Sequence, residues 1–140
     1  MPLYFAYGLN MLTSRMQNRI PLSVCSGISQ LADHLVVCNK ESAKGDAKAN
    51  LETHPGSTVW GVLYALSHND LTNLDRYEKG YLRKTVSVIC NPESFTAETY
   101  ISTNISNQLA NEKYVAYIIE GAKEHQLPAT YIDYLSTFMA

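Results

Sequence analysis

Residues 57–66 read STVWGVLYAL and follow directly on Pro55-Gly56. A run this apolar and this short, opened by a Pro-Gly pair, is predicted to be a β-strand covered on both faces, with Pro55-Gly56 as the turn that starts it. Similar signals lie on either side. Leu3 to Ala6 is a short apolar and aromatic run stopped by Gly8. From Lys84 to Cys90, Val86, Val88 and Cys90 alternate with Thr85, Ser87 and Ile89 at the period of a strand. Phe95 to Thr103 alternates more plainly, and Asn91-Pro92 between these two runs makes them a hairpin.

Helical patterns are fewer. Ser67-x-x-Asp70 opens a helix over residues 67–77 with Leu71 and Leu74 on one face. A second, over Asn111 to Glu124, places Tyr114, Tyr117, Ile118, Gly121 and Ala122 at helical spacing before Pro128. The third, Ala129 to Phe138, aligns Ile132 with Leu135 and Ser136. The polar stretch from Asn39 to Lys48 (NKESAKGDAK) reads as a long exposed loop or arm between strands. Many strands and a helical C-terminal part predict an α+β domain, a small curled sheet or barrel with flanking helices, spanning residues 1–140 as one unit.

Size and composition agree with that reading. A chain of 140 residues buries about two-thirds of its unfolded surface, enough for one core without disulfides. With 46% hydrophobic and 17% charged residues it is neither a disordered chain nor a membrane span. The net charge of −2 and scattered basic residues argue against a nucleic-acid partner. Cys25, Cys38 and Cys90 lie too far apart for a C-x-x-C site and are expected to be buried reduced thiols in a cytoplasmic protein. MPLYFAYGLN lacks the pattern of a signal peptide. Ten Tyr against three Phe is lopsided, since each buried phenol needs a polar partner.

Two places could carry chemistry. At Tyr7-Gly8-Leu9-Asn10 a strand ends at a glycine free to take φ > 0, and Asn10 can cap a helix starting near Met11. Such a turn gathers backbone N–H groups around an anion, or is a tight turn with no ligand. Glu78 falls at i+7 from Leu71 and i+4 from Leu74, on the apolar stripe of its helix and at its C-terminal end. Burial and the helix dipole would both raise its pKa toward the range of a general acid/base, and Asp75 would add to this if it faced the same pocket. The alternative is a solvated Glu78 at a frayed end beside Arg76 or Lys79. His34, His54, His68 and His125 have no metal-ligand spacing, and no nucleotide-binding or serine-hydrolase motif occurs.

Together these segments resemble the γ-glutamylcyclotransferase family. Residues 4–11, YFAYGLNM, look like its YFAYGSN(M/L) signature, and residues 59–64, VWGVLY, look like its VWGV-aromatic strand. Leu74-Asp75-x-x-Glu78 is similar to its LDxxEG segment, and residues 114–128, YVAYIIEGAKEHQLP, to its C-terminal helix. The resemblance implies a small mixed barrel with peripheral helices. It also implies conversion of a γ-glutamyl amine or amino acid to 5-oxoproline and the free amine. The substrate's own α-amine is the nucleophile, so neither metal nor cofactor is called for. The implied roles are Glu78 as general acid/base and Tyr7, Gly8, Leu9 and Asn10 as the loop holding the γ-glutamyl group. Tyr81 and Tyr114 join Tyr7 as expected neutral donors to the zwitterionic substrate, whereas Tyr100, Tyr131 and Tyr134 read as packing. Leu9 replaces the family's usual Ser, and Lys79 its usual Gly after the glutamate. The same motifs also fit a catalytically silent module that binds a small amine or acid in that pocket.

Overall fold

Ala47–Ala65 forms one strand of 19 residues, β3, around which the rest of the sheet is arranged. The computed structural model describes residues 1–42 and 44–139. Along one edge β3 pairs antiparallel with β1 (Leu3–Ala6), from Leu3↔Ala65 to Ala6↔Val62. Along the other it pairs with β2 (Val24–Glu41) over the whole length, from Val24↔Ala65 to Glu41↔Ala47. The hairpin of β4 (Leu82–Cys90) and β5 (Glu93–Ile101) completes the sheet. A parallel contact, Tyr4↔Glu98, closes it into a barrel of order β1-β3-β2-β4-β5. Val59, Val62, Leu63 and Tyr64 are all buried although neighbours point to opposite faces, so this part of β3 is covered on both sides as predicted.

The chain enters β3 earlier than the sequence suggests. Pro55-Gly56 is not a turn that starts a strand. It lies in a bulge, where the register passes from Ala32↔Thr58 to His34↔Thr53. There Gly56 has φ +85° and donates its N–H to Asp33 Oδ1 at 3.0 Å. A bulge is one of the few places in a sheet where proline is tolerated. The expected loop over residues 39–48 is correspondingly short. Asn39–Glu41 and Ala47-Lys48 belong to paired strands, and only the tip between them is loop. Expected burial of the thiols also fails, since Cys25 is exposed and Cys38 and Cys90 are half-buried.

Helices flank the barrel. After a 3₁₀ turn at Leu9–Met11 comes α1 (Thr13–Arg19). Helix α2 (His68–Tyr77) begins where the Ser67 side chain accepts from the Asp70 N–H at 3.0 Å. Asn111 caps α3 (Glu112–Glu124) in the same way, and α4 (Ala129–Ser136) follows Pro128. Helix α3 rests on the 3₁₀ turn at Gly121, where a Cβ would lie 2.8 Å from the Leu12 nitrogen. The two ends of that contact are tied by polar bonds as well. His125 Nε2 lies 2.8 Å from Met11 O, and the Thr13 N–H donates to Glu124 Oε1 at 2.9 Å.

Gly61 makes the matching close approach inside the sheet. A Cβ there would sit 2.5 Å from the Ala6 carbonyl oxygen and 2.7 Å from the Phe5 ring. Gly61→Ala is therefore expected to force β1 outward and cost about 1–3 kcal/mol, the usual range for overpacking a core. Urea unfolding measures it, and an unchanged midpoint would contradict this contact between β1 and β3.

Candidate active site

The site is built where β1 ends. Tyr7, Gly8, Leu9 and Asn10 leave the strand and turn across the mouth of the barrel, lining a cavity of about 330 Å³. Gly8 has φ −118°, so no left-handed conformation is required of it. What it contributes is space: a Cβ there would make ordinary contacts at 3.5 Å from Ala49 Cβ and 3.9 Å from the Tyr114 hydroxyl, on the cavity side. The short 3₁₀ turn leaves the N–H groups of its first residues, Leu9 and Asn10, without helical acceptors at the rim.

Asn10 does not cap a helix through its side chain. It is buried, and its amide joins the site together. The NH₂ group donates to Glu78 Oε1 at 2.8 Å and to the Tyr4 hydroxyl at 3.0 Å, while Oδ1 accepts from Arg19 at 3.1 Å. Its backbone is fixed too, since the Tyr64 hydroxyl from β3 donates to the Asn10 carbonyl at 2.9 Å.

Glu78 follows the last residue of α2, whose macrodipole is negative at this end. Its side chain is 15% exposed and its carboxylate borders the cavity opposite residues 7–10. Arg19 stands 3.8 Å away. Burial is the largest influence and pushes the Glu78 carboxyl above the ordinary glutamate range, against Arg19, the Asn10 hydrogen bond and Lys40, which all favour the ion. The Gly80 turn that follows has φ +82° and is closed by the Tyr81 N–H on the Glu78 carbonyl at 3.2 Å. Asp75 takes no part in this cluster. It accepts from the Tyr100 hydroxyl at 2.5 Å and stands 3.7 Å from Arg83.

The tyrosines divide differently from expectation. Tyr7 donates to the Tyr100 carbonyl, and Tyr81 donates to the Ala49 carbonyl at 2.5 Å. Both hydroxyl protons are thus spent on the protein, and these rings serve as walls. Tyr114 accepts from the Ala49 N–H at 2.8 Å, so two phenols grip the backbone of one residue from its two sides. Tyr100 also lines the cavity rather than merely packing a strand. Tyr4 accepts from Asn10, and among the described residues its own proton meets no protein acceptor. It stands in the YFAYGLN segment, three residues before Tyr7, and lines the cavity as a phenol able to donate to a ligand.

Sequence reasoning also missed the cations. Arg15 and Arg19, one helical turn apart on α1, line the cavity with Lys40, Lys48 and Lys79. Their elements had no clear apolar period, which hid the arginines. Lys40 and Lys48 belonged to a segment whose polarity suggested solvent, although Ala47, Ala49 and Leu51 are buried at strand spacing, while Lys79 was noted only as a neighbour of Glu78.

A mixed five-stranded barrel with a largely buried carboxylate in a tyrosine-walled, cation-rimmed cavity has the features of a small-molecule site. The AIG2-like family profile matches residues 58–135. γ-Glutamylcyclotransferase of Bos taurus is 30% identical over 139 residues, which cover 92% of this chain and 74% of that protein. The Homo sapiens enzyme is 30% identical over 143 residues, covering 95% and 76%. A solved structure described as γ-glutamyl cyclotransferase superimposes with a TM-score of 0.89 at 28% identity, covering 96% of this chain and 86% of that one. The chain belongs to the AIG2-like, γ-glutamylcyclotransferase-like family.

The Glu78 environment has a thermodynamic consequence. A carboxyl whose pKa is raised by folding binds its proton more tightly in the native state, so stability falls as pH rises from the ordinary glutamate range through the raised value. Glu78→Gln removes that dependence. Urea midpoints of the two proteins are expected to diverge in favour of the variant as pH rises through this window. Parallel curves would show that Glu78 titrates normally.

Proposed function

We propose that this chain acts as a single-domain γ-glutamylcyclotransferase, releasing 5-oxoproline and a free amine from γ-glutamyl compounds, with Glu78 as its general acid/base. The observation that carries the reading is the Glu78 carboxylate, largely buried and facing a cavity bounded by residues 7–10. A γ-glutamyl group folded back on itself brings its α-amine against its own γ-carbonyl. Holding that conformer removes much of the entropic barrier, and the rigid walls made by Tyr7, Tyr81, Tyr100 and Tyr114 suit the task.

In this reading Glu78 takes a proton from the α-ammonium group. The freed nitrogen forms its bond to the γ-carbon while the carbonyl electrons move to oxygen. Backbone N–H groups of the 7–10 turn and the Tyr4 hydroxyl are the available donors to that oxyanion or to the α-carboxylate. Glu78 passes the first proton to the leaving nitrogen and takes the second proton that the ring nitrogen sheds. When the carbonyl re-forms, the bond to the leaving nitrogen breaks, and this second proton also goes to the departing amine, which leaves as an ammonium. Each proton taken is given back, so the carboxylate ends as it began. Leu9 offers no hydroxyl but keeps its N–H, which is the part such a turn needs. Asn10 and Arg19 act as positioning residues, fixing the carboxylate and lowering its pKa against burial. Free thiols at Cys25, Cys38 and Cys90 support a reducing compartment such as the cytoplasm.

Incubation with γ-glutamyl dipeptides, γ-glutamylamines and glutathione, followed by assay of 5-oxoproline, tests the activity. Turnover of at least one class is expected, and none on any would refute it. Glu78→Gln should lower kcat by on the order of 10²–10⁴ while the protein stays folded at neutral pH. In the active enzyme the acid limb of kcat/KM should lie above the ordinary glutamate range. Arg19→Gln should move that limb to still higher pH, because it removes a charge that favours the ion. An unmoved limb would detach Arg19 from the acid/base group.

A further inference from the structure

Lys40 and Lys48 are direct partners across the β2–β3 ladder. Like charges placed opposite each other in a sheet repel, and most folds avoid the arrangement. Both side chains are half-buried and line the cavity. The Lys40 ammonium lies 5.1 Å from the centre of the Tyr81 ring and that of Lys48 4.3 Å from the Tyr114 ring. A ring face attracts a cation but brings no negative charge to neutralise it. Neither lysine has a carboxylate partner among the described residues; the ion pair at the cavity is Arg19 with Glu78. Gly80 makes this placement possible, since a Cβ there would stand 2.7 Å from Lys40 Nζ.

The cavity thus carries Arg15, Arg19, Lys40, Lys48 and Lys79 against one carboxylate, Glu78. A γ-glutamyl group brings one positive and one negative charge and offsets none of that surplus. Compensation has to come from the rest of the substrate. We propose that Lys40 and Lys48 form a subsite for the leaving group, and that the favoured leaving amine is an acidic amino acid carrying two carboxylates. This rests on the cyclotransferase reading of the same cavity. Two ammonium groups on cross-strand partners, each over an aromatic ring at the same cavity, match two anionic groups better than one, and a neutral alkylamine would leave their repulsion in place.

Calorimetric binding to the Glu78→Gln protein, in which turnover is expected to be strongly slowed, separates this idea from the activity itself. γ-Glutamylglutamate is expected to bind more tightly than γ-glutamylalanine, and that more tightly than γ-glutamylpropylamine. Lys40→Gln or Lys48→Gln in the same background should each compress the ratio of dianion to neutral affinity by about tenfold, the scale of one charge-assisted hydrogen bond. Without ligand, each lysine variant should melt no lower than its parent, because the facing repulsion is relieved; a lower melting temperature would deny that repulsion and overturn the proposal. Equal affinity for the three compounds, no binding of any, or an unchanged ratio in the lysine variants would overturn it as well. If the charge order holds but the unsubstituted protein yields no 5-oxoproline, the subsite stands and the cyclotransferase reading falls.

Discussion

The amide of Asn10 is where the fold and the site are fastened to each other. Its three hydrogen bonds reach Tyr4 on β1, Arg19 on α1 and Glu78 at the end of α2. Segments far apart in the chain thus share one planar group with fixed donor and acceptor directions. A side chain this buried cannot leave a donor unpaired without a desolvation cost of about 1–3 kcal/mol, so the three partners are held where the amide needs them. The backbone beneath it is equally constrained. Tyr64 holds it from β3, while α3 closes on the turn through the bare face of Gly121.

Burial and charge oppose each other at Glu78. Arg19 at 3.8 Å would, at a dielectric typical of protein surfaces, favour the carboxylate by about 4 kcal/mol before desolvation is counted. Burial nevertheless prevails and raises the pKa. The result suits the role proposed for Glu78, in which one group both takes and returns a proton. A freely solvated glutamate would be too weak a base, and one buried without Asn10 and Arg19 would not ionise readily. The surrounding phenols add to this by excluding water, and their pKa values are raised by the same burial, so they remain neutral donors or acceptors.

Much of the architecture was legible wherever a local pattern and its tertiary setting agreed. The strand at 3–6, the hairpin of the runs at 84–90 and 95–103 and the cap at Ser67 could all be read from alternation, turn residues and capping within a few residues of one another. The long β2–β3 hairpin was not readable in this way. Pro55-Gly56 has the local chemistry of a turn, but pairing with β2 on both sides of it holds the strand together and makes it a bulge. NKESAKGDAK has the composition of a solvated loop, yet half of it is sheet. Its lysines were overlooked because charge alone does not reveal a half-buried position.

The sequence by itself determined the motifs, the order of most elements, and the placing of Glu78 on the apolar side of a helix end. Such properties follow from periodicity and local capping, which act over a few residues. Only the tertiary structure decided which groups meet: Asn10 on Glu78 instead of a helix cap, Tyr100 on Asp75, and Arg19 beside the carboxylate. It also decided that the tyrosine excess wall a cavity while spending several of its hydroxyls on the protein. These pairings join residues up to 93 positions apart, as between Tyr7 and Tyr100. Barrel closure and bulge geometry, which no local pattern encodes, bring them within reach.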